Sequence, residues 1–164
     1  MANIENTPHF KQGKDWENQA TDLLKKLGFK VIDNSHNFIE PDLIIRKGIY
    51  GAYVEAKCFM HKTFDVHKIK TDHYMHYMRR ELEGEFENVL YFYFHPEGKH
   101  EIFTINMIAE KITNFKSPQY WSERKQYFYH FPRGSGIPYK DYFKNIEVNP
   151  NYYTHTTSTH PSER

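Results

Sequence analysis

Two carboxylates and one amine stand close together in the first third of the chain. Asp42 precedes an apolar β-branched run, and Glu55 and Lys57 alternate with small apolar residues. Two strands joined by a short connection predict a hairpin. If Lys47-Gly48 is the two-residue loop, Asp42 lies opposite Tyr53, and Asp42, Glu55 and Lys57 point to one face. A three-residue loop would turn Asp42 to the other face, and a four-residue loop would restore it.

This group of side chains suits phosphoryl chemistry with a divalent cation. Mg²⁺ takes oxygen ligands and keeps several waters, so one or two carboxylates plus substrate phosphate suffice. A cation between Asp42 and Glu55 could lower the pKa of a bound water and neutralise charge on a phosphoryl group. Lys57 could hold the attacking water or offset phosphate charge. The alternative is a surface hairpin with solvated charges, which is the common situation for an isolated Glu-x-Lys.

The upstream residues predict a helix that opens at Gly13 and ends before Gly28. Glu17 lies at the edge of the apolar stripe of this helix, and a first strand follows at residues 29–32. The stripe has helical spacing and consists of Trp16, Ala20, Leu23 and Leu27.

The order of these segments resembles a known group of enzymes. Gly-x-x-x-Glu, a leucine-bearing helix, Gly-Phe-x-Val, Pro-Asp-Leu-Ile-Ile and Val-Glu-Ala-Lys follow one another as in the PD-(D/E)xK nuclease superfamily. That superfamily includes restriction endonucleases, archaeal Holliday-junction resolvases and phage exonucleases. The resemblance covers roughly residues 13–94. It implies an α/β fold with a restriction-endonuclease-like core, in which helices flank a central mixed β-sheet in the order α-β-β-β-α-β. An aromatic-rich C-terminal extension follows that core.

The resemblance also implies roles for individual residues. Glu17 corresponds to the helix carboxylate, and Lys57 to the catalytic lysine. Asp42 and Glu55 correspond to the metal ligands, with the backbone carbonyl of Ala56 as a further ligand. The activity implied is that of a Mg²⁺-dependent deoxyribonuclease in which Mn²⁺ can replace Mg²⁺. DNA is favoured over RNA as the substrate, and a homodimer is an expectation because restriction and junction enzymes of this superfamily often dimerise.

The segment after the hairpin predicts a helix over residues 71–82 and a buried strand over residues 89–94. Lys70, His73 and Tyr77 fall on one face of that helix and are candidate substrate-binding residues. Many superfamily members carry glutamine at the position of His73, often with tyrosine four residues later. The predicted buried stripe consists of Thr71, Met75, Met78 and Leu82.

The C-terminal third predicts an added strand over residues 101–105 and a short helix over residues 106–114. Residues 118–143 are rich in aromatic side chains and are interpreted as an irregular core extension, with base stacking as the alternative. The Arg133-Gly134-Ser135-Gly136 loop could approach a phosphate, and Arg133 is a further substrate-binding candidate.

Composition limits the class of protein. The 164 residues carry a net charge of +1, but Lys and Arg exceed Asp and Glu between residues 57 and 80, where phosphates would pass. We expect an N-terminal arm at residues 1–12, one domain at residues 13–148 (core 13–105, extension 106–148) and a disordered tail at residues 149–164. The single Cys58 excludes an intramolecular disulfide. No membrane span or leader is recognised, so a cytoplasmic location is expected.

Two other functions compete with the nuclease. One is a catalytically silent module that binds nucleic acid through the same fold. The other is a transition-metal protein, motivated by the eleven histidines, although pairs such as His73 and His76 lack a convincing third ligand.

Overall fold

A computed structural model of the chain describes residues 8–35, 41–58, 66–83, 88–95, 98–112, 119–122 and 125–148. The predicted tail and most of the predicted N-terminal arm lie outside these residues. Residues 8–12, which the sequence assigned to the arm, instead form the start of a helix. No helix in the described part is long and apolar enough to cross a membrane.

The chain alternates between helices and strands. Its elements are α1 (Pro8–Lys26), β1 (Lys30–Asp33), β2 (Leu43–Lys47), β3 (Tyr50–Cys58), β4 (Val66–Lys70), α2 (Thr71–Leu82), β5 (Val89–Phe94), β6 (Glu101–Thr104), α3 (Ile105–Ile112), β7 (Gln119–Trp121), β8 (Gln126–Pro132), β9 (Ile137–Pro138) and α4 (Tyr139–Val148).

A six-stranded mixed sheet forms the centre of the fold. Its strand order is β1-β2-β3-β5-β6-β9. Strand β3 pairs with β2 in antiparallel fashion and with β5 in parallel, whereas the other neighbours are antiparallel. Parallel strands need a long crossover, which here contains β4 and α2. The predicted fold class, a mixed sheet flanked by helices, is confirmed.

Each face of the central sheet has its own apolar core. One face packs against α1 and α4 through residues such as Leu24, Val54 and Phe92. The other face packs against α2, α3 and β8 through residues such as Tyr77 and Tyr91. Since every residue of β5 is buried, this strand separates the two cores. Glu55 lies on β3, which neighbours β5 and contributes Val54 to one core and Tyr53 to the other.

The helix predictions are correct in place but not in every detail. Helix α2 covers the predicted residues 71–82, and α1 ends two residues before Gly28, whose φ of +89° favours glycine. The predicted buried stripe of α2 is wrong. Met75 and Leu82 are 55% and 82% exposed, while Tyr74 and Tyr77 are buried. The burial of these tyrosines reflects their large apolar rings.

A second sheet of three strands, in the order β4-β8-β7, was not predicted. Strand β4 alternates between buried and half-buried positions, but one of its two buried side chains is His67. A histidine at a core position hides the apolar alternation on which strand prediction depends. The aromatic-rich segment is thus more regular than expected, because β8 contributes Phe128 and Phe131 to the buried residues.

The β2–β3 hairpin has the predicted face but a different register. Lys47 pairs with Tyr50 and Leu43 pairs with Val54, so Gly48 and Ile49 form the two-residue loop. The predicted pairing of Asp42 with Tyr53 is wrong by two residues. A shift of two residues leaves every side chain on its face because strands alternate with a period of two. Asp42 therefore still shares a face with Glu55.

The predicted phosphate-approaching loop binds an internal carboxylate instead. The amides of Gly134 and Gly136 donate to Glu101 at 3.1 and 3.0 Å, and His67 Nε2 lies 2.7 Å from the same carboxylate. A Cβ at Gly136 would meet the Phe103 ring at 2.7 Å, so only glycine fits. These amides are occupied by Glu101 and do not await a phosphate.

Glu81 gives the fold a pH dependence. Burial raises the pKa of this carboxyl to about 7, although it accepts a hydrogen bond from the Val89 amide. Stability should therefore fall as the pH rises from about 4.5 to about 7, because the unfolded chain releases the proton first. Glu81→Gln should raise the melting temperature at pH 8 and leave it unchanged at pH 4. Glu83→Gln, at an exposed site paired with Arg79, is the control and should bring no gain.

Candidate active site

The three charged residues lie at one end of the central sheet. Asp42 immediately precedes β2, and Glu55 and Lys57 lie in the last half of β3. The pairing of Leu43 with Val54 places Asp42 beside Glu55 on the face that α2 covers. Glu55 is only 4% exposed, whereas about a third of the Lys57 side chain is accessible. Solvent therefore reaches the group at Lys57, whereas Glu55 is shielded from solvent.

Hydrogen bonds fix each carboxylate. Asp42 Oδ2 accepts from the amide of Ala56 at 3.0 Å. Glu55 Oε2 accepts from the buried Tyr77 hydroxyl at 3.1 Å, and Glu55 Oε1 lies 2.5 Å from Lys57 Nζ. Because these partners come from β3 itself and from α2, the side chains are held before any ligand arrives.

The electrostatics of Asp42 mark a site with excess negative charge. Burial, and next to it the charge of Glu55, raises the pKa of Asp42 to about 8. Glu17 adds to the rise, while Lys57 and the Ala56 amide oppose it. Neighbouring carboxylates that cannot all ionise are typical of functional sites. A cation placed among them would relieve the repulsion.

Lys57 is held in its charged form. Burial lowers the pKa of this ammonium, but the charges of Glu55 and Asp42 outweigh burial, so the pKa is raised overall. A lysine with a raised pKa carries its proton at neutral pH. It can therefore donate hydrogen bonds to a water or a phosphate oxygen, but it cannot act as a base.

Glu17 reaches the site from α1. Its charge contributes to the pKa shifts of both Asp42 and Lys57. Lys14 Nζ lies 3.0 Å from Glu17 and 3.2 Å from Asp33, at the end of β1. The bridge anchors α1 to this end of the sheet, and Glu17 stands near the other acids as predicted.

The donor set fits a hard divalent cation with few protein ligands. The described residues contain no group of three or more His, Cys, Asp and Glu side chains able to hold a metal ion by themselves. Mg²⁺ does not require such a cage, since one or two carboxylates, waters and substrate phosphate complete its shell. The charge excess around Asp42 and Glu55 suits it. The lack of a group of three such side chains among the described residues gives no support to the histidine-based transition-metal site.

The predicted substrate-binding residues fall into different places. The pKa of His73 is lowered, first by burial and then by the charge of Lys57, while the charge of Glu55 opposes this shift. His73 is thus close enough to the site to be influenced by both charges. Lys70 ends β4 and acts on the same imidazole. Tyr77 is buried, and its hydroxyl serves Glu55 rather than an incoming substrate. Arg133 precedes the loop whose amides bind Glu101, and its role in substrate binding stays a prediction.

The distance between Glu101 and the site follows from the sheet. Lys57 pairs with Tyr93, and Tyr93 pairs with Glu101. Glu101 is therefore two strands away from Lys57, which corresponds to roughly 10 Å. Sequence alone does not reveal this separation, since the order of the strands in the sheet differs from their order in the chain.

Two contacts of the site were missed in the sequence. Tyr77 was assigned to the substrate and to a face beside the predicted buried stripe, whereas its side chain is buried and donates to Glu55. Lys14 was assigned only to the start of the predicted helix, without a partner. Its spacing of three residues from Glu17 is a signal for a helical ion pair.

Comparisons with known proteins address the fold. Neither a scan against protein-family models nor a search of curated proteins finds a match. Among solved structures, the chain is similar to Hjc, a Holliday junction resolvase from Archaeoglobus fulgidus (TM-score 0.57, 14% identity, covering 81% of this chain and 96% of Hjc). It is also similar to the bacterial homing endonuclease I-Ssp6803I (TM-score 0.50, 12% identity, 88% and 97% covered). A third similar structure is D212, a nuclease from a fusselovirus (TM-score 0.50, 12% identity, 94% and 97% covered).

At these identities the likeness concerns the fold. The neighbours are restriction-endonuclease-like, and they span nearly the whole of this chain. The order of the sequence motifs and the three-dimensional likeness agree on this fold. The chain has a restriction-endonuclease-like fold.

Proposed function

We propose that the chain is a metal-dependent deoxyribonuclease that hydrolyses phosphodiester bonds. The observation that carries the proposal is the meeting of Asp42, Glu55 and Lys57 at one end of the sheet, with Glu17 close by. The structural neighbours include a resolvase, a homing endonuclease and a viral nuclease, which favours nucleic acid as the substrate. The proposed substrate is DNA rather than RNA, and the proposed mode of cleavage is at internal phosphodiester bonds. A homodimer remains part of the proposal.

The charge of each residue determines its proposed role. Asp42 and Glu55, with the carbonyl of Ala56, would hold Mg²⁺ or Mn²⁺. When bound there, such an ion would supply a water of lowered pKa and would offset charge on the phosphoryl group. Lys57 orients the attacking water by donating hydrogen bonds, and its charge offsets that of the phosphate. Glu17 acts at the edge of this group through a water or a second ion.

Metal dependence is the direct test. Labelled single-stranded, duplex and branched DNA, with matched RNA strands, would be incubated with Mg²⁺, Mn²⁺ or EDTA. We expect cleavage of DNA with either metal and none in EDTA. Glu55→Gln should abolish cleavage while the protein stays folded. Glu81→Gln is the matched control, because it makes the same substitution at another partly buried carboxylate, on α2. It should cleave as the wild type does.

The silent binding module predicts a different result from the same panel. It would bind these substrates with measurable affinity but would cleave none of them with any metal. Cleavage that survives in EDTA, or in the purified Glu55→Gln variant, would also contradict the proposal. A full set of charged residues in the site favours the enzyme.

Tyr77→Phe tests the positioning of Glu55. The variant keeps the buried ring and removes the donor 3.1 Å from Glu55 Oε2. A hydrogen bond to a buried charge contributes about 1.5–3 kcal/mol, so we expect cleavage to slow by about tenfold or more. Tyr74→Phe is the control, since Tyr74 is a buried tyrosine of the same helix that packs on Tyr129. Equal rates for the two variants would show that Tyr77 has no positioning role.

A further inference from the structure

An exposed aromatic pair stands on the β7–β8 hairpin. Tyr120 and Tyr127 lie opposite each other in the register, with ring centroids 4.9 Å apart. Each is 53% exposed. Phe128 and Phe131 of the same aromatic-rich segment are buried. The core therefore does not account for the two tyrosines.

The register shows that this pair extends beyond the body of the small sheet. Strand β4 pairs with β8 only from Phe128 to Pro132. The β7–β8 pairing continues past that point, from Phe128 to Gln126. Tyr127 and Tyr129 are two residues apart in β8, so their side chains share one face of the strand. Tyr129 packs against the core, and the Tyr127 ring therefore lies on the inner side of the hairpin. The pair thus faces inward from a ribbon that β4 no longer accompanies.

The first turn of α2 connects this ribbon with the active site. Thr71 Oγ1 donates to the backbone oxygen of Tyr127 at 3.3 Å. Two residues later, His73 lies within the electrostatic reach of Lys57 and Glu55. An α-helix with its side chains is about 10–12 Å across. The aromatic pair and the catalytic group therefore flank one helix end.

The surroundings suit a polyanion. The described cations near the ribbon are Lys68, Lys70 and Lys125, and the described acid at the start of α2 is Asp72. The N-terminal end of α2 adds partial positive charge. A phosphate backbone that reaches the start of α2 would pass close to Tyr127, because Lys70 pairs with Phe128, the next residue of β8.

We propose that Tyr120 and Tyr127 form a stacking platform for unpaired bases of the substrate. The proposal rests on the nuclease function and names its substrate class: nucleic acid with a single-stranded segment beside the scissile phosphate. Unpaired bases expose their faces and stack on aromatic side chains, whereas the bases of an intact duplex stack on one another. A purely structural role would be the cross-strand stabilisation of the hairpin.

Binding without metal separates these roles. The probe is a single-stranded DNA oligonucleotide that contains one 2-aminopurine, titrated in EDTA so that no cleavage occurs. The double variant Tyr120→Val/Tyr127→Val keeps β-forming side chains and removes the rings. We expect it to bind about 5- to 150-fold more weakly, as loss of one stacked base would produce, and to lose the fluorescence quenching. Its affinity for a blunt duplex should remain that of the wild type.

Two controls make the result specific. Tyr120→Phe/Tyr127→Phe retains both rings and should retain affinity and quenching. Leu82→Ala removes another exposed apolar side chain, at the far end of α2, and should change nothing. A folded double valine variant with wild-type single-strand affinity would overturn the proposal. A wild-type dimer that dissociates in this variant would overturn it too, because the pair would then be a subunit contact.

The outcome is independent of catalysis. If the wild type cleaves no substrate with any metal, the nuclease proposal fails, while the stacking result in EDTA stands by itself. If cleavage is present and the rings make no difference to binding, only the stacking proposal fails.

Discussion

Lys57→Ala is expected to lower the single-turnover cleavage rate by about 100- to 1,000-fold. That is the effect of removing one preorganised donor from a transition state that develops charge. The raised pKa of Lys57 means that the loss is that of a cation and a hydrogen-bond donor, not of a base. The effect should therefore appear in the rate, with little change in DNA affinity measured in EDTA. Quenched-flow kinetics at saturating enzyme would measure it.

Lys47→Ala is the matched control for this prediction. Lys47 belongs to the same hairpin but lies at its opposite end, where it pairs with Glu147. Its removal should leave the cleavage rate unchanged. Melting temperatures of both variants must show that they are folded, because Lys57→Ala leaves Glu55 without its cationic neighbour. A folded Lys57→Ala variant that cleaves at the wild-type rate would remove Lys57 from the mechanism.

Asp42→Asn should have opposite effects on activity and on stability. Cleavage should fall to background because a ligand of the cation is lost. The metal-free protein, in contrast, should become more stable at pH 9. Burial and Glu55 raise the pKa of Asp42 to about 8, so folding stability falls as the pH rises from about 3.8 to about 8. Asparagine cannot ionise, and its side-chain oxygen can still accept from the Ala56 amide.

The pH and metal dependence identify the cause of this gain. We expect the melting temperature of Asp42→Asn to exceed that of the wild type by about 3 °C or more at pH 9, which corresponds to about 1 kcal/mol in a chain of this size. Below about pH 3.8 the difference should vanish, since Asp42 is then protonated in both the folded and the unfolded chain. Mg²⁺ should stabilise the wild type more than the variant. Scanning calorimetry in EDTA and in Mg²⁺ provides all three values.

Asp33→Asn is the control, because the pKa of Asp33 is shifted in the opposite direction from that of Asp42. Asp33 accepts hydrogen bonds from Ser35 and pairs with Lys14, and these contacts lower its pKa to about 2. Its ionised form is therefore favoured by folding, and neutralising it should not stabilise the protein at pH 9. A gain in both variants would indicate a general effect of net charge. A loss of stability in Asp42→Asn would contradict the charge repulsion inferred for the site.

The success of sequence reasoning varied with the kind of signal. Strand β5 has its predicted bounds because Val89–Phe94 is a continuous apolar run. The hairpin register was wrong by two residues because Gly48 fits either loop position, and alternation cannot distinguish registers that differ by two. Strand β4 was missed because His67 occupies a core position.

The site itself was only partly predictable. Sequence spacing placed Asp42, Glu55 and Lys57 on one face, since the hairpin is local in the chain. The contact of Tyr77 with Glu55 depends on how the β4–α2 crossover returns over the sheet, which no local pattern encodes. For the same reason the position of Glu101, two strands from Lys57, could not be inferred from its neighbours.

The burial of β3 on both sides predicts how substitutions along it would behave in a saturation screen. Residues 52 and 54 face the α1 core and are almost fully buried, so their replacement should reduce the amount of folded protein. Residues 55 and 57 face the catalytic end, and their conservative replacement should spare abundance while it removes cleavage. Scores for expression and for function should therefore alternate from one residue to the next along a single strand.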